Sequence, residues 1–291
     1  MIQVIVQVTR RGARAMMKKF KRNWKIILLF ITGFLIATYP IISNWYYTVE
    51  NNNQIVDFKE AVDEMSQAEI DERIDLARAY NETLDPSKLA DPYTEREKKG
   101  VENYARMLEA REKIGYIDIP KINQQIPVYA GTSEDVLQHA CGHLEGTSLP
   151  IGGKSTHSVI TAHRGLPQVK LFRDLDKMEV GDVFYYTNVK ETLAYQVDQI
   201  LVIEPWNFDP VLVVEGKDYM TLLTCTPYMI NSHRLLVRGH RIPYVPEEKE
   251  EAEDKAKFNY KDLIVPGFVT LLLIIIIFIY IKRRRRRRYE G

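Results

Sequence analysis

Short runs of alternating apolar and polar residues, separated by glycine and proline, fill the middle of this 291-residue chain. A period of two residues is typical of β-strands that bury one face, and such short runs leave little room for a helical layer. Strands of this length bury their edges most completely by closing on one another. The sequence therefore predicts a mainly β fold, a closed barrel of seven to eight strands, from the runs 115–119, 126–129, 157–162, 183–187, 194–203, 219–224 and 234–242.

Helical patterns precede the barrel. Apolar residues recur at helical spacing over 57–83, which predicts one helix, and a second helix is predicted over 97–110. The segment between them contains two Asp-Pro pairs, which indicate a loop. Within the barrel, Thr132 and Asp135 form a candidate capping box for a short helix.

Two long apolar segments flank this central region. Residues 26–43 carry no charge, and 18 residues of helix span roughly 27 Å, close to the thickness of a hydrocarbon core. A second apolar segment covers 263–281, and aromatic residues border both segments. We therefore expect two transmembrane helices. Bulky residues after the first span argue against cleavage of a signal peptide there.

The charges beside these segments predict their orientation. Eight basic and no acidic residues precede the first span, and Lys282 is followed by six arginines after the second. Positive charge marks the cytoplasmic side, so both termini are expected in the cytoplasm and residues from about 48 to 262 outside the plasma membrane. An arginine tail beside a span indicates contact with anionic lipid of the bilayer rather than with nucleic acid.

Three chemically distinct residues end or begin predicted strands. Cys225 ends one apolar run, Arg234 begins the next, and His163 ends an upstream run. A thiol nucleophile, a proton carrier and a cation for an oxyanion are the groups that acyl transfer needs. By themselves, each has a more ordinary interpretation: a lone strand cysteine is usually core, and a strand arginine is usually a surface charge. Arg238 also remains a competitor of Arg234, because both face one side of a strand.

The motifs around these residues resemble those of the sortase family. Thr-Leu-Leu-Thr-Cys225 matches the family's Thr-Leu-x-Thr-Cys signature, and Thr-Ala-His163-Arg-Gly matches its histidine motif. The resemblance implies an eight-stranded sortase barrel. It also implies catalytic roles for Cys225 as nucleophile, His163 as acid and base, and Arg234 as oxyanion donor. The other histidines are then structural or surface groups, and Cys141 is a small buried side chain.

A further resemblance concerns Asp91-Pro92-Tyr93, which lies in the loop before the barrel. Pilus-building class C sortases of Gram-positive bacteria carry an Asp-Pro-aromatic lid at this place. By that resemblance Asp91 pairs with Arg234, and Tyr93 covers Cys225. A second, C-terminal anchor also favours the pilus-building branch. Three residues are a short motif, and Tyr93 stands where the family often has Phe or Trp.

The resemblance gives a domain plan and a function. We expect a basic cytoplasmic segment (1–25), a transmembrane helix (26–47), a helical region (48–110) with the lid loop (85–95), the barrel (111–244), a charged stalk (245–262), a second transmembrane helix (263–281) and an Arg-rich tail (282–291). The implied reaction cleaves a Leu-Pro-x-Thr-Gly-like (LPXTG) sorting signal after Thr through a thioacyl-enzyme. The thioacyl group then passes to a lysine amine of a pilin subunit.

Other interpretations remain open from the sequence. The acceptor could be a cell-wall amine, so that surface proteins are anchored, or water, as in a cysteine hydrolase. The chain could also be a scaffold that binds sorting signals without catalysis. No metal motif, phosphate loop or other cofactor signature is present, so no cofactor and no nucleic-acid partner are predicted.

Overall fold

Helices form the N-terminal part of the molecule. The computed structural model describes residues 2–84 and 106–256. Helix α1 (Ile2–Asp63) is followed by α2 (Gln67–Glu82), so the single helix predicted over 57–83 is wrong. The Ser66 hydroxyl accepts a hydrogen bond from the Glu69 amide (3.2 Å) and starts the second helix. This N-cap satisfies an amide that would otherwise lack a partner.

Eight strands form one closed barrel, as the resemblance implies. The order around the barrel is β1-β2-β3-β4-β7-β8-β6-β5, and β5 pairs with β1 to close it. Pairs β2/β3 and β4/β7 are parallel, and the others are antiparallel. The strands are β1 (Lys113–Ile119), β2 (Gln124–Ala130), β3 (Cys141–His143), β4 (Thr156–Thr161), β5 (Val183–Thr187), β6 (Thr192–Ile203), β7 (Asp218–Thr226) and β8 (His233–Ile242).

Strand β3 was missed from the sequence, because three residues are too few to show a period of two. Before it comes the one-turn helix α3 (Glu134–Leu137). Its cap is Ser133, whose hydroxyl accepts from the Val136 amide, and not the predicted Thr132.

Alternation along the strands separates the barrel interior from its outer face. The main apolar cluster receives a side chain from each of the eight strands, as a barrel interior does, and it continues outside the barrel to helix residues such as Phe58. Ile160, Leu222 and Leu235 belong to it. Neighbouring residues of the same strands, such as Leu223 and Leu236, form a second cluster on the outer face, covered by the loop that contains Val211.

Helix α1 is held against β1 by charge. Asp57 of α1 accepts from Lys113 (2.7 Å) and from Arg111 (2.6 Å), and Arg111 also contacts Glu64 (3.2 Å). These cations lower the pKa of Asp57, with the Lys113 hydrogen bond as the largest cause. Phe58, which is buried, packs edge-on against Tyr116 of β1. The C-terminal part of α1 is therefore packed on the outside of the barrel.

The first part of the segment expected to be a solvated stalk is instead a helix packed on the barrel. Residues Pro246–Ala256 form helix α4, which contacts the barrel. Lys249 reaches Asp118 (3.3 Å) and lies over the rings of Tyr116 and Tyr185. The physical reason is that a lysine stem can cover apolar surface while its ammonium pairs with a carboxylate.

The predicted anchors have different outcomes. In the part of the chain that the structure describes, no helix combines the length and the apolar character needed to cross a membrane. The predicted span at 26–47 is therefore not confirmed. The predicted span at 263–281, the tail after it and most of the predicted helix at 97–110 lie outside the described residues.

Candidate active site

Cys225 and Arg234 lie opposite each other at one end of the barrel. Strand β7 delivers Cys225 near its last residue, β8 begins just before Arg234, and the antiparallel register pairs the two residues directly. Directly paired residues project their side chains to the same face of a sheet. Both are buried, with 5% and 6% of their surface exposed. The thiol and the guanidinium therefore share one shielded place.

His163 reaches the same place from β4. The parallel register of β4 with β7 pairs Thr161 with Leu223, so His163 and Cys225 each lie two residues further on. Two hydrogen bonds show that this alignment continues past the end of β4: Thr224 donates to the Ala162 carbonyl (2.7 Å), and Arg164 donates to the Thr226 hydroxyl (2.9 Å). The sequence-predicted trio is thus brought together from three adjacent strands.

The trio faces outward from the barrel. Leu222 and Leu235 point into the interior, and Leu223 and Leu236 belong to the outer cluster. Cys225 and Arg234 are in phase with the outer residues. On β4, Ile160 and Ala162 belong to the interior cluster, so His163 also faces outward. A long peptide can therefore approach the three side chains without entering the barrel.

Arg234 is held by the chain around it, and Arg238 is occupied elsewhere. The Arg234 guanidinium donates to the carbonyls of Asn231 and His233 (3.0 Å each). Arg238 makes a two-pronged contact with Asp198 (2.9 and 3.1 Å) and pairs in register with Thr221, four residues before Cys225. The geometry therefore favours Arg234 over Arg238 as the cation beside the thiol.

Comparison with known proteins identifies the family. A family model described as "Sortase domain" matches residues 117–242. The chain is 60% identical to a pilus-related Sortase C of Group B Streptococcus (TM-score 0.63; 65% of this chain, 96% of the other). It is 61% identical to sortase C-1 from Streptococcus pneumoniae (TM-score 0.65; 66% and 100%). It also matches Sortase A of Bacillus anthracis at 24% identity over 213 residues (73% and 90%).

The chain belongs to the sortase family. Sortases are cysteine transpeptidases, and this sortase is therefore an enzyme of acyl transfer. The solved structures it resembles at about 60% identity are pilus-related class C sortases.

A carboxylate that the sequence did not single out contacts the histidine. Glu134 of α3 lies 3.7 Å from the Nε2 atom of His163. The Ser133 cap fixes the helix that carries Glu134. A carboxylate at this distance stabilises the imidazolium form of a histidine. The Ser-Glu-Asp sequence at 133–135 is recognisable as the start of a helix, but only the fold shows that Glu134 lies beside His163.

Arg164 fixes the loop after the histidine. Its guanidinium donates to the Arg173 carbonyl (3.1 Å) and to Thr226 next to the thiol, and pairs with Asp176 (2.6 Å). The side chain is buried. Arg164 therefore ties the loop of His163 to the strand of Cys225, a role that its position in the histidine motif did not reveal.

The remaining histidines lie elsewhere. His143 and His157 are buried and hydrogen-bonded, and burial lowers the pKa of each to about 4. They are neutral structural groups at pH 7. His139 is exposed, His233 lies 3.4 Å from Glu204, and His240 lies 4.0 Å from Asp198.

The second cysteine is a core residue. Cys141 is fully buried in β3, and burial raises the pKa of its thiol well above its usual range. Both cysteines are free, so no disulfide joins them. A buried thiol with a raised pKa is a poor nucleophile, so Cys141 is a small apolar side chain here, as predicted.

Two further predictions concern the lid and metal binding. The lid residues Asp91, Pro92 and Tyr93 lie outside the described residues. Within residues 2–84 and 106–256, no group of three or more His, Cys, Asp or Glu side chains could hold a metal ion.

Proposed function

We propose that this sortase polymerises pilin subunits. In the proposed reaction it cleaves a Leu-Pro-x-Thr-Gly-like signal between Thr and Gly and transfers the new acyl group to a lysine amine of the next subunit. The observation that supports this most strongly is the alignment of Cys225, Arg234 and His163 on the outer face of three adjacent strands. Similarity to pilus-related sortases C supports the pilin as substrate.

The first half of the proposed mechanism forms a thioester. The Cys225 thiolate attacks the threonine carbonyl carbon, and the developing oxyanion lies beside the Arg234 guanidinium, which stays charged at all relevant pH values. Collapse of this intermediate breaks the Thr–Gly C–N bond. His163, as imidazolium, gives its proton to the leaving glycine amine. Glu134, whose Oε1 lies 3.7 Å from His163 Nε2, can pair with the imidazolium of this step.

The second half releases the product. Neutral His163 takes a proton from the incoming lysine amine, whose nitrogen attacks the thioester carbon. The C–S bond breaks, the Cys225 thiolate returns, and an isopeptide bond joins the two subunits. Burial of the site limits access of water, which would otherwise hydrolyse the thioester.

We further propose that the enzyme is anchored in the plasma membrane by the apolar segments at 26–47 and 263–281, with its barrel outside the cell. The sequence supports this proposal, because each of the two long apolar segments has basic residues on the side nearer its chain terminus. In the same way, the motif Asp91-Pro92-Tyr93 supports a lid over Cys225 that substrate displaces.

The experiment that tests the proposal measures the intact mass of the full-length chain in detergent after incubation with a Leu-Pro-x-Thr-Gly peptide. The lid residues Asp91 and Tyr93 are changed to Ala to expose the site. We expect an adduct equal in mass to the peptide cut after Thr, absent from the same chain with Cys225→Ala. Adding a pilin peptide with one lysine should then convert the adduct to an isopeptide product.

A folded protein whose Cys225 is alkylated freely but never acylated by several signal variants would contradict the proposal and favour a scaffold that only binds signals. An adduct that water resolves while every lysine peptide is refused would indicate a hydrolase. An adduct resolved only by cell-wall amines would indicate anchoring of surface proteins.

A further inference from the structure

A cavity on the outer face of the barrel is not part of the site described above. Helix α1 forms one wall, and β2 with His139, which precedes β3, forms the other. Its volume is about 260 Å³, at the lower end of the range for small-molecule pockets and enough for the end of one long side chain. Pro127 of β2 lies at its floor and points outward, since its neighbours Ile126 and Val128 are interior residues.

Aromatic rings surround the cavity. Tyr46 and Tyr47 of α1 meet edge-on (ring centroids 5.5 Å apart), and Tyr129 and His139 meet edge-on across from them (6.2 Å). The faces of tyrosine rings carry negative potential and attract organic cations. Three tyrosine rings beside one small volume are suited to a cationic group.

The polar side chains of the cavity are anionic or neutral. Glu50 supplies a carboxylate and bonds the Gln54 amide (2.8 Å). Asn51, only 8% exposed, also lines the cavity with its neutral amide.

The surroundings of the cavity are also negative. Burial raises the pKa of Tyr129 to about 12, and the charges of Glu112, Asp57 and Glu50 contribute. No lysine or arginine is among the described residues that line the cavity. Arg111 and Lys113, next to and at the start of β1, are held by Asp57. A positive group would therefore be attracted here, and an anion would be repelled.

The strand registers relate the cavity to the thiol. Pro127 lies one residue before Val128, which pairs with Cys141 in the β2/β3 register. The β3/β4 register, extended by two residues, continues this line across the barrel to His163, and the β4/β7 register continues it to Cys225. Three strand spacings separate Pro127 from Cys225, which gives roughly 14 Å along the outer face. An ammonium in the cavity is therefore too far from the thioester to be the attacking amine.

We propose that this cavity binds the ammonium group of a second lysine in the acceptor polypeptide, one that docks the segment while another lysine reacts. The inference rests on the proposed transpeptidation. An extended chain advances about 3.3 Å per residue, so roughly 14 Å corresponds to about four residues, which also returns the side chain to the same face. The acceptor is expected to carry its docking lysine about four positions from the reacting lysine.

The kinetic test compares two acceptor peptides of the same length. One carries lysines four residues apart, and the other has norleucine in place of the docking lysine and keeps the reacting one. With the full-length enzyme we expect a KM for the two-lysine peptide about fivefold lower. Glu50→Gln should abolish this difference, and the matched control Glu60→Gln, at an exposed position of the same helix, should preserve it. Equal KM values with the unmodified enzyme, or a difference that survives Glu50→Gln, would overturn the proposal.

A binding test separates failure of this inference from failure of the proposed function. The full-length chain with Cys225→Ala cannot react, so titration with Nα-acetyl-lysine methylamide reports binding alone, read by NMR of labelled tyrosine rings. We expect a saturable change in the tyrosine signals, and Tyr129→Phe helps to assign the signal of that ring. The binding affinity should fall about fivefold in Glu50→Gln. The norleucine analogue should cause no such change. Equal binding of the norleucine analogue, or no saturable shift, would overturn the inference.

The same titration addresses a competing source of ammonium groups. In nanodiscs that contain ethanolamine headgroups, we expect the lysine compound to bind as it does in discs without them. Displacement of the lysine compound by the ethanolamine lipid would assign the cavity to a membrane headgroup and overturn the proposal.

Discussion

The two ends of strand β7 use polar side chains in opposite ways. At its start, Asp218 accepts from the Gly153 amide (2.7 Å), the Tyr195 hydroxyl (3.1 Å) and the Thr156 hydroxyl (3.5 Å). At its other end, Cys225 is placed between a histidine and an arginine from neighbouring strands. The first arrangement ties strands and loops together, and the second collects groups suited to acyl transfer. One strand thus carries a network of structural hydrogen bonds at one end and the proposed reactive groups at the other.

The largest expected effect is at the chemical end. Cys225→Ala should lower thioacyl formation by at least about a thousandfold, because it removes the proposed thiol nucleophile. The unfolding free energy should change by less than about 1 kcal/mol, since a small side chain is exchanged at the strand end. Intact mass of the acylated chain and urea unfolding provide the two measurements. Retained acylation in the variant would show that another residue carries the acyl group.

Arg234→Lys should lower the rate of thioacyl formation by about a hundredfold or more. Lysine keeps the charge but loses the planar fork that can bond two oxygens at once. Arg238→Lys is the matched control, because Arg238 lies on the same strand and pairs with Asp198. Single-turnover acylation should separate the two variants. Equal losses in both would argue against a specific role of Arg234.

Near the start of β7, His157 gives a pH-dependent contribution to stability. It pairs in register with Tyr219, bonds Thr221, and has its pKa lowered to about 4 from 6.5 by burial. A lowered pKa favours the neutral form in the folded state. The contribution is therefore complete above about pH 6.5 and is lost as the pH falls toward 4, by on the order of 3 kcal/mol.

Denaturant unfolding at pH 7 and at pH 4.5 measures this contribution. His157→Gln, which cannot take up a proton, should flatten the loss of unfolding free energy between the two pH values. His240→Gln, at a half-buried position whose side chain is 43% exposed, should leave this loss unchanged. If His157→Gln lost as much unfolding free energy between the two pH values as the unmodified chain, the loss would not come from His157.

The smallest effect is expected for Asp218→Asn. An amide cannot accept from Gly153, Tyr195 and Thr156 as a carboxylate does, and its NH2 group would face a donor. We expect a loss of about 2 kcal/mol in unfolding free energy, with the acylation rate per folded molecule unchanged. A large drop in that rate without loss of stability would show that the two ends of β7 are not separate in function.

A residue of the site could be predicted where a short motif in the sequence marks it, and not where its role depends on contacts between distant parts of the chain. Cys225, His163 and Arg234 stand in short motifs, so the sequence could predict them as site residues, and the strand registers bring them to one end of three adjacent strands. Glu134 and the cavity beside Tyr129 have no such signal. They depend on how α3 and α1 pack on the barrel, which is set by contacts between residues far apart in the chain.

The sequence by itself determined the class of fold, most strand positions and the residues with reactive groups. Period-two alternation and turn residues are local properties, and so are the motifs around the thiol and the imidazole. Tertiary structure alone decided that β2/β3 and β4/β7 are parallel, that Arg238 pairs with Asp198, and that α4 packs against the barrel. Pairing of strands and docking of helices are decided by burial summed over the whole barrel, which no local stretch of sequence encodes.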